Sequence, residues 1–146
     1  MKSLCIALLV CLLASTADAQ TAQITDLDPS DGEYFEVNPG RTTLIIYHSA
    51  NMTFSNWEVG SSALFSYRLT LTSSTGHVQD DSGWINFHVP QFASLEIDYY
   101  DFIKVPIGIW FLKCEIAEGY GGGLPSTPLL DSETNRYILL AEQEDE

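Results

Sequence analysis

Basic residues are scarce in this sequence. Six lysines and arginines stand against 20 aspartates and glutamates, which gives a formal net charge of −14. A surface this acidic repels phosphate backbones and anionic lipids, so we expect no nucleic-acid or membrane partner. The acidity raises the alternative of calcium, and DLDPSDGE (26–33) is the segment to consider. Its Gly32 comes one place too late for an EF-hand loop, and no glutamate holds the twelfth position, so we expect no metal site.

Long hydrophobic runs are absent except at the N-terminus. The chain begins MKSLCIALLVCLLASTADAQ, with a positive Lys2, an apolar run over residues 4–14 and small residues at 17–19. This order is typical of a secretory signal peptide cleaved after Ala19. The apolar run is too short for a membrane anchor, which needs about 20 residues. We therefore expect residues 1–19 to be removed and the protein to be secreted.

Cysteine is nearly missing from the expected mature chain. Cys5 and Cys11 leave with the signal peptide, and Cys114 remains alone. No intramolecular disulfide is then possible, although small secreted domains often need one. We expect a single domain over residues 20–141, stabilised by its apolar core, followed by an acidic tail over residues 142–146.

Helical periodicity is also lacking, and the dominant period of the sequence is two. In ALFSYRLTLT (63–72) the residues from Ala63 to Leu71 alternate between an apolar face and a mostly polar one, as in a half-buried strand. TTLIIYHS is apolar on both faces, which is typical of a central strand. The predicted strands are 23–27, 33–37, 42–49, 63–72, 84–89, 94–100, 108–116 and 135–141. Turn-forming residues separate them at 28–32, 38–40, 74–76 and 80–83.

Strands of this number and spacing favour an all-β fold. We expect a single antiparallel immunoglobulin-like β-sandwich of seven to eight strands, without a disulfide. In GIWFLKCEI (108–116) the alternation places Cys114 on the same apolar face as Trp110 and Ile116. We therefore predict that this thiol is buried, has a raised pKa and is chemically inert.

Two sets of short motifs resemble known proteins. The opening GIW (108–110) before an inward cysteine resembles the penultimate strand of immunoglobulin-like domains. Residues 42–49 contain no cysteine, and Leu112 replaces the tyrosine found two places before the cysteine, so the resemblance is to a disulfide-free relative. The order of PSDG (29–32), NPG (38–40), KVP (104–106) and a glycine-rich hairpin resembles small secreted immunoglobulin-like proteins common in fungi. This resemblance implies an extracellular β-sandwich and no catalytic residues.

The signatures of common enzyme classes are missing. The sequence contains no G-x-S-x-G, H-E-x-x-H, P-loop or G-x-G-x-x-G motif. His48, His77 and His88 are not spaced as a ligand motif, and neither His nor Met follows Cys114, as a blue-copper site requires. We expect no cofactor and no catalytic residues. Two of the many carboxylates could still converge as in a glycosidase, which leaves a polysaccharide hydrolase as the third alternative.

One modification motif is present. NMT (51–53) is an N-glycosylation sequon without proline at its centre. We place it in a polar stretch over residues 50–62, between two predicted strands. The signal peptide makes Asn51 a predicted glycosylation site.

Two features suit recognition. Trp84, Asn86 and His88 share one face of strand 84–89, and an indole beside two hydrogen-bonding groups suits a sugar ring, although Trp84 could instead pack at a sheet edge. The loop AEGYGGGLPSTP (117–128) is longer than a hairpin needs and carries Tyr120, which could anchor a partner or fold back over the sheet.

These observations predict a secreted, non-catalytic binding or cell-surface module with an extracellular glycan or protein as its partner. A structural protein of a cell wall or matrix, with no discrete site, is the second interpretation. A glycan array or cell-wall pull-down separates the two.

Overall fold

The computed structural model describes residues 20–119 and 129–143, and within them the chain is all β. No α-helix occurs in these residues, and so none that is long and apolar enough to cross a membrane. Three predicted features lie outside the described residues. They are the signal peptide over 1–19, Tyr120 with the rest of its loop to residue 128, and the end of the tail over 144–146.

Nine strands form the described part of the chain. They are β1 Gln20–Asp28, β2 Tyr34–Val37, β3 Thr43–Asn56, β4 Ala63–Ser73, β5 Val78–Asp81, β6 Ile85–Val89, β7 Ala93–Pro106, β8 Gly108–Glu118 and β9 Leu129–Ala141. The prediction of seven to eight strands missed β5, a four-residue strand whose last two residues fell in the predicted 80–83 turn. The prediction of an all-β chain is confirmed.

The strands form two sheets. The first has the order β1-β3-β7 and is antiparallel throughout. The second has the order β2-β9-β8-β4, with β5 and β6 both pairing with β4 along different halves of its length. The chain crosses between the sheets five times, at each of the three connections from β1 to β4, between β6 and β7, and between β7 and β8. At the last crossing the backbone N–H of Ile107 donates to the carbonyl of Thr42.

The expectation of a single antiparallel arrangement is wrong, because β2 pairs with β9 in parallel. After β1 the chain moves to the second sheet, and β2 adds to the free edge of β9 running in the same direction. The backbone N–H of Gly32 donates to Arg136 and that of Ile138 donates to Glu33 at the start of this ladder. The period-two pattern reports which face is buried and carries no information on the direction of the neighbouring strand, so the sequence could not reveal this pairing.

One core lies between the inner faces of the two sheets. Phe54 of β3 contacts Phe65 of β4 and Phe87 of β6, with ring centroids 5.3 and 4.6 Å apart. Tyr137, Phe54, Phe65 and Met52 are among the largest fully buried side chains. The predicted inner faces of 63–72, 84–89 and 108–116 all point into this core.

Cys114 lies in this core as predicted. Its side chain is fully buried, and its Sγ donates to the sulfur of Met52 at 3.7 Å. Burial, reinforced by the nearby carboxylates Asp131 and Glu133, raises the pKa of the Cys114 thiol to about 12. No disulfide is present among the described residues, in agreement with the sequence.

A buried polar contact also joins the two sheets. His48 of β3 is 1% exposed, and its Nε2 lies 2.7 Å from the hydroxyl of Tyr137 in β9. Its Nδ1 donates to the carbonyl of Ile46. Burial disfavours the charged imidazolium and lowers the pKa of His48 to about 4.

Candidate functional site

The predicted surface on β6 is only partly assembled. Asn86 and His88 are exposed on the outer face of the second sheet, opposite Leu64 and Ser66 in register. Trp84 lies in the connection just before β6 and is half-buried. The predicted alternation is correct, since Ile85, Phe87 and Val89 face inward, but only the two polar members of the trio are freely accessible.

A larger aromatic group lies on the opposite side of the molecule. Tyr47 of β3 and Tyr100 and Phe102 of β7 protrude from the outer face of the three-stranded sheet, and we call these three residues the aromatic platform. They are 43%, 64% and 65% exposed. The rings of Tyr47 and Tyr100 lie 27° from parallel with centroids 6.2 Å apart, and Tyr47 contacts Phe102 at 5.2 Å.

The pairing of β3 with β7 brings these residues together. Tyr47 stands directly opposite Phe102, and Ser49 stands opposite Tyr100. On each strand the platform residues alternate with inward ones, such as Ile46 on β3. Strand β1 pairs with β3 only from Ser49 onward, so at the level of Tyr47 the sheet consists of β3 and β7 alone. The platform therefore lies where the sheet is narrowest and open to solvent.

Polar groups and charges flank the platform along the same two strands. At one end Ile45 pairs with Lys104. At the other end Asn51 pairs with Asp98, and Thr53 pairs with Glu96. The face thus runs from a cation, across aromatic rings, to two carboxylates.

Two surface depressions adjoin this face. The first, about 460 Å³ in volume, is lined at the cationic end by Arg41, Thr43, Leu44, Ile45 and Lys104. The second, about 260 Å³, is lined at the acidic end by Thr25, Asn51, Met52, Thr53, Glu96 and Asp98. Within the described residues no group of three His, Cys, Asp or Glu side chains could hold a metal ion.

The position predicted for the sequon needs correction. Strand β3 continues to Asn56, so Asn51 lies inside the central strand of the first sheet and not in a connection over 50–62. The polar residues of this stretch point outward, while Ala50, Met52 and Phe54 alternate with them into the core. Asn51 is half-buried on the outer face of β3, two residues after Ser49 and further from Tyr47. Its glycosylation stays a prediction.

The platform was missed by the sequence analysis, although a signal was present. Ile45 and Tyr47 make residues 42–49 apolar on both faces, which we interpreted as a central strand. Strand β3 is central in its sheet, but its outer face is exposed at these two residues. Tyr100 and Phe102 are likewise out of phase with the inward residues Tyr99 and Ile103 of β7. Exposed aromatics produce the same pattern as doubly buried ones.

No protein-family model and no curated protein sequence matches the chain. Solved structures match only distantly. A chain from Bacteroides fragilis described as a "putative beta-galactosidase" is 10% identical with a TM-score of 0.46, over 81% of this chain and 15% of that one. A Bordetella pertussis chain described as the "putative ApaA protein" is 14% identical with a TM-score of 0.40, over 80% of this chain and 91% of that one. At these values neither likeness assigns a fold family or an activity.

Proposed function

We propose that the mature chain is a secreted, non-catalytic, immunoglobulin-like module that binds an extracellular glycan on the aromatic platform. The observation that carries the proposal is the cluster in which Tyr47 contacts both Tyr100 and Phe102 while all three rings stay exposed to solvent. Large apolar side chains grouped on a surface are a recurring mark of binding sites. Burying these rings against a ligand would contribute favourable hydrophobic free energy to binding.

The chemistry of the face suits a sugar better than a purely apolar ligand. Tyrosine offers an apolar ring with a hydroxyl at its tip, so one side chain can pack on a pyranose and hydrogen-bond to it. Ser49 stands opposite Tyr100, and Asp98 follows along β7, where their donors and acceptors can meet sugar hydroxyls. An aromatic surface bordered by such groups matches the alternation of apolar faces and hydroxyl edges in a glycan.

Strand order supports the immunoglobulin-like part of the proposal. In immunoglobulin domains strands A, B and E share one sheet and C, F and G share the other. Here β1, β3 and β7 occupy one sheet, and β4, β8 and β9 lie side by side in the other. The parallel β2–β9 pair and the nine strands are departures from the expected arrangement. Kinship with small secreted immunoglobulin-like proteins of fungi remains part of the proposal.

A protein partner is the second candidate, and a separate observation favours it. Strand β7 is 14 residues long and forms an edge of its sheet, so its outer backbone groups could pair with an added strand. Gln79 already donates to the carbonyl of Lys104 at one end of that edge. Binding at the edge would rely on backbone groups and would tolerate loss of the platform rings.

A glycan array probed with the unglycosylated protein tests the proposal. We expect wild type to bind a defined set of glycans and the Tyr100→Ala/Phe102→Ala variant to lose at least about tenfold in affinity, since two stacking surfaces are removed. The matched control is Asn86→Ala/His88→Ala on the opposite face, which should bind as wild type does. Retained binding by the platform variant, or loss in the control, contradicts the proposal.

The remaining interpretations have their own assays. A structural protein of a wall or matrix would co-sediment with insoluble wall material without saturating. A hydrolase would release soluble sugar from a polysaccharide, and Glu96→Gln or Asp98→Asn should then abolish the release. Saturable binding without release is the result that the binding-module proposal expects.

Secretion and modification can be read from one sample. Mass spectrometry of material from the culture medium should find Gln20 at the N-terminus and a glycan on Asn51. An N-terminus at Met1 would contradict secretion through the predicted signal peptide.

A further inference from the structure

The few cations of this chain differ in whether they form ion pairs. The sequence has six lysines and arginines, and one of them, Lys2, lies in the predicted signal peptide. Arg68 forms a two-pronged ion pair with Asp81, and Lys113 pairs with Glu115, both on the outer side of the six-stranded sheet. Among the described residues, Arg41, Lys104 and Arg136 have no carboxylate within ion-pair distance. Arg136 lies on β9 of the six-stranded sheet, whereas Arg41 and Lys104 line the same depression of about 460 Å³.

This depression adjoins the aromatic platform. Lys104 is two residues from Phe102 along β7, which corresponds to about 7 Å along a strand. Ile45, opposite Lys104, is two residues from Tyr47 along β3 and is itself 65% exposed. The hydroxyl-bearing Thr43 completes the wall beside Arg41. A ligand that packs on the platform therefore reaches both cations without bending.

Of the three cations without a carboxylate partner in the described part of the chain, only Arg41 and Lys104 share a depression, where their two positive charges can meet an anion from outside. We propose that this depression receives the carboxylate of an acidic sugar residue whose neighbouring residues pack on the platform. The inference rests on the proposed glycan-binding function. It adds that the ligand carries a negative charge and that its charged residue lies at the Arg41 and Lys104 end of the face. Arg41 can bind a carboxylate with two parallel N–H groups, and Lys104 adds a charged donor from the facing strand.

The charges elsewhere on the face limit the ligand to few acidic groups. Asp98 and Glu96 lie further along β7, with Asp98 about 20 Å from Lys104 by strand length. They would repel a second carboxylate at that end. The acidic surface as a whole also repels long polyanions. The geometry thus favours an oligosaccharide with one acidic residue at the cationic end and neutral residues beyond it.

Isothermal titration with matched oligosaccharides tests this inference. The probes are a neutral oligosaccharide bound on the array, the same oligosaccharide ending in one uronic acid, its sulfated counterpart, and a polyuronate. Wild type should bind the uronic-acid form about tenfold tighter than the neutral form, because charge-assisted hydrogen bonds are added. The preference should shrink as salt is raised.

The variants are Arg41→Gln/Lys104→Gln and, as a matched control, Arg68→Gln on the other sheet. The first should bind the neutral and acidic forms equally, with the affinity for the neutral form unchanged, and the control should keep the tenfold preference. If wild type binds the neutral and the uronic-acid forms with equal affinity, the inference is overturned and the proposed function stands. If wild type binds neither form, the proposed function is overturned. Tightest binding to the polyuronate or to the sulfated form overturns the assignment of a single carboxylate.

Discussion

The two outer faces of this protein differ in how far their cations are paired and their aromatic rings are clustered. On the six-stranded sheet Arg68 and Lys113 are paired with carboxylates, Arg136 has no such partner among the described residues, and Phe111 is half-buried. On the three-stranded sheet Lys104 has no carboxylate partner within residues 20–119 and 129–143, and Tyr100 and Phe102 are almost two-thirds exposed. Both faces belong to strands of the same core, so folding alone does not require the difference. A face that pairs most of its charges contributes to stability, whereas a face with clustered exposed rings beside unpaired cations is available to a partner.

The largest expected effect separates the platform from the core beneath it. Phe54→Ala should lower the free energy of unfolding by about 3–5 kcal/mol, because it leaves a cavity between the sheets. Phe102→Ala should change it by no more than about 0.5 kcal/mol, as exposed positions generally do. Urea denaturation of both variants measures the contrast. A loss of several kcal/mol in Phe102→Ala would mean that the platform is a structural layer and would remove the basis for a binding face.

Acid should lower the stability of the core between the two sheets. His48 carries its proton at pH below about 6.5 in the unfolded chain but only below about 4 in the folded one, because burial lowers its pKa. The unfolded state therefore binds more protons between these values. The stabilisation is complete above pH 6.5 and is lost as the pH falls to about 4, by about 3 kcal/mol in total.

Chemical denaturation across pH 4–7 checks this expectation, with His48→Gln as the comparison. The variant should be less stable at neutral pH, since the contact with Tyr137 changes, but its stability should fall less steeply over this range. Identical slopes in the two proteins would show that His48 does not titrate with a lowered pKa.

Cys114 offers a smaller probe of the same core. Its raised pKa leaves almost no thiolate at pH 8, so the native protein should resist thiol reagents and react only after unfolding. Cys114→Ala should cost about 1 kcal/mol, because little volume is lost. Cys114→Asp should cost far more by burying a charge. Rapid labelling of the native thiol, followed spectroscopically, would contradict the buried position.

The smallest expected effect compares cations on the two faces. Arg68→Gln breaks a partly exposed ion pair and should cost a few tenths of a kcal/mol, up to about 1 kcal/mol. Lys104→Gln breaks no ion pair and should leave the melting temperature unchanged. Thermal denaturation at low and high salt measures both, and the effect of Arg68→Gln should diminish as salt is added. A larger loss in Lys104→Gln would reverse the comparison between the faces.

The sequence was informative where one face of a strand is buried and the other is wet. The alternation in 63–72 and 108–116 located the inner faces of β4 and β8, including Cys114, because burial selects apolar residues at every second position. The same pattern was not recognised at 50–56, where small polar residues on the outer face of β3 led us to predict a connection between strands. It also could not give the direction of β2, which depends on which edge the chain reaches.

The candidate site was hidden for a related reason. Whether Tyr47 is covered depends on how far β1 extends beside β3 and on whether another element packs on the outer face of this sheet. The residues around Tyr47 determine neither of these. Tyr100 and Phe102 come from a strand about 50 residues away, and only the β3–β7 register joins them to Tyr47. By contrast, Trp84, Asn86 and His88 are adjacent in sequence and were easy to propose, and the structure gives them less exposed aromatic surface.

The most direct test of the binding face is a map of where a glycan binds. Backbone amide chemical shifts would be recorded by NMR while the protein is titrated with the best ligand from the array. We predict the largest shifts in residues 43–51 of β3 and 98–105 of β7, with residues 84–89 of β6 unchanged. Shifts centred on 84–89 would instead support the surface of Trp84, Asn86 and His88, and would contradict the assignment of binding to the aromatic platform.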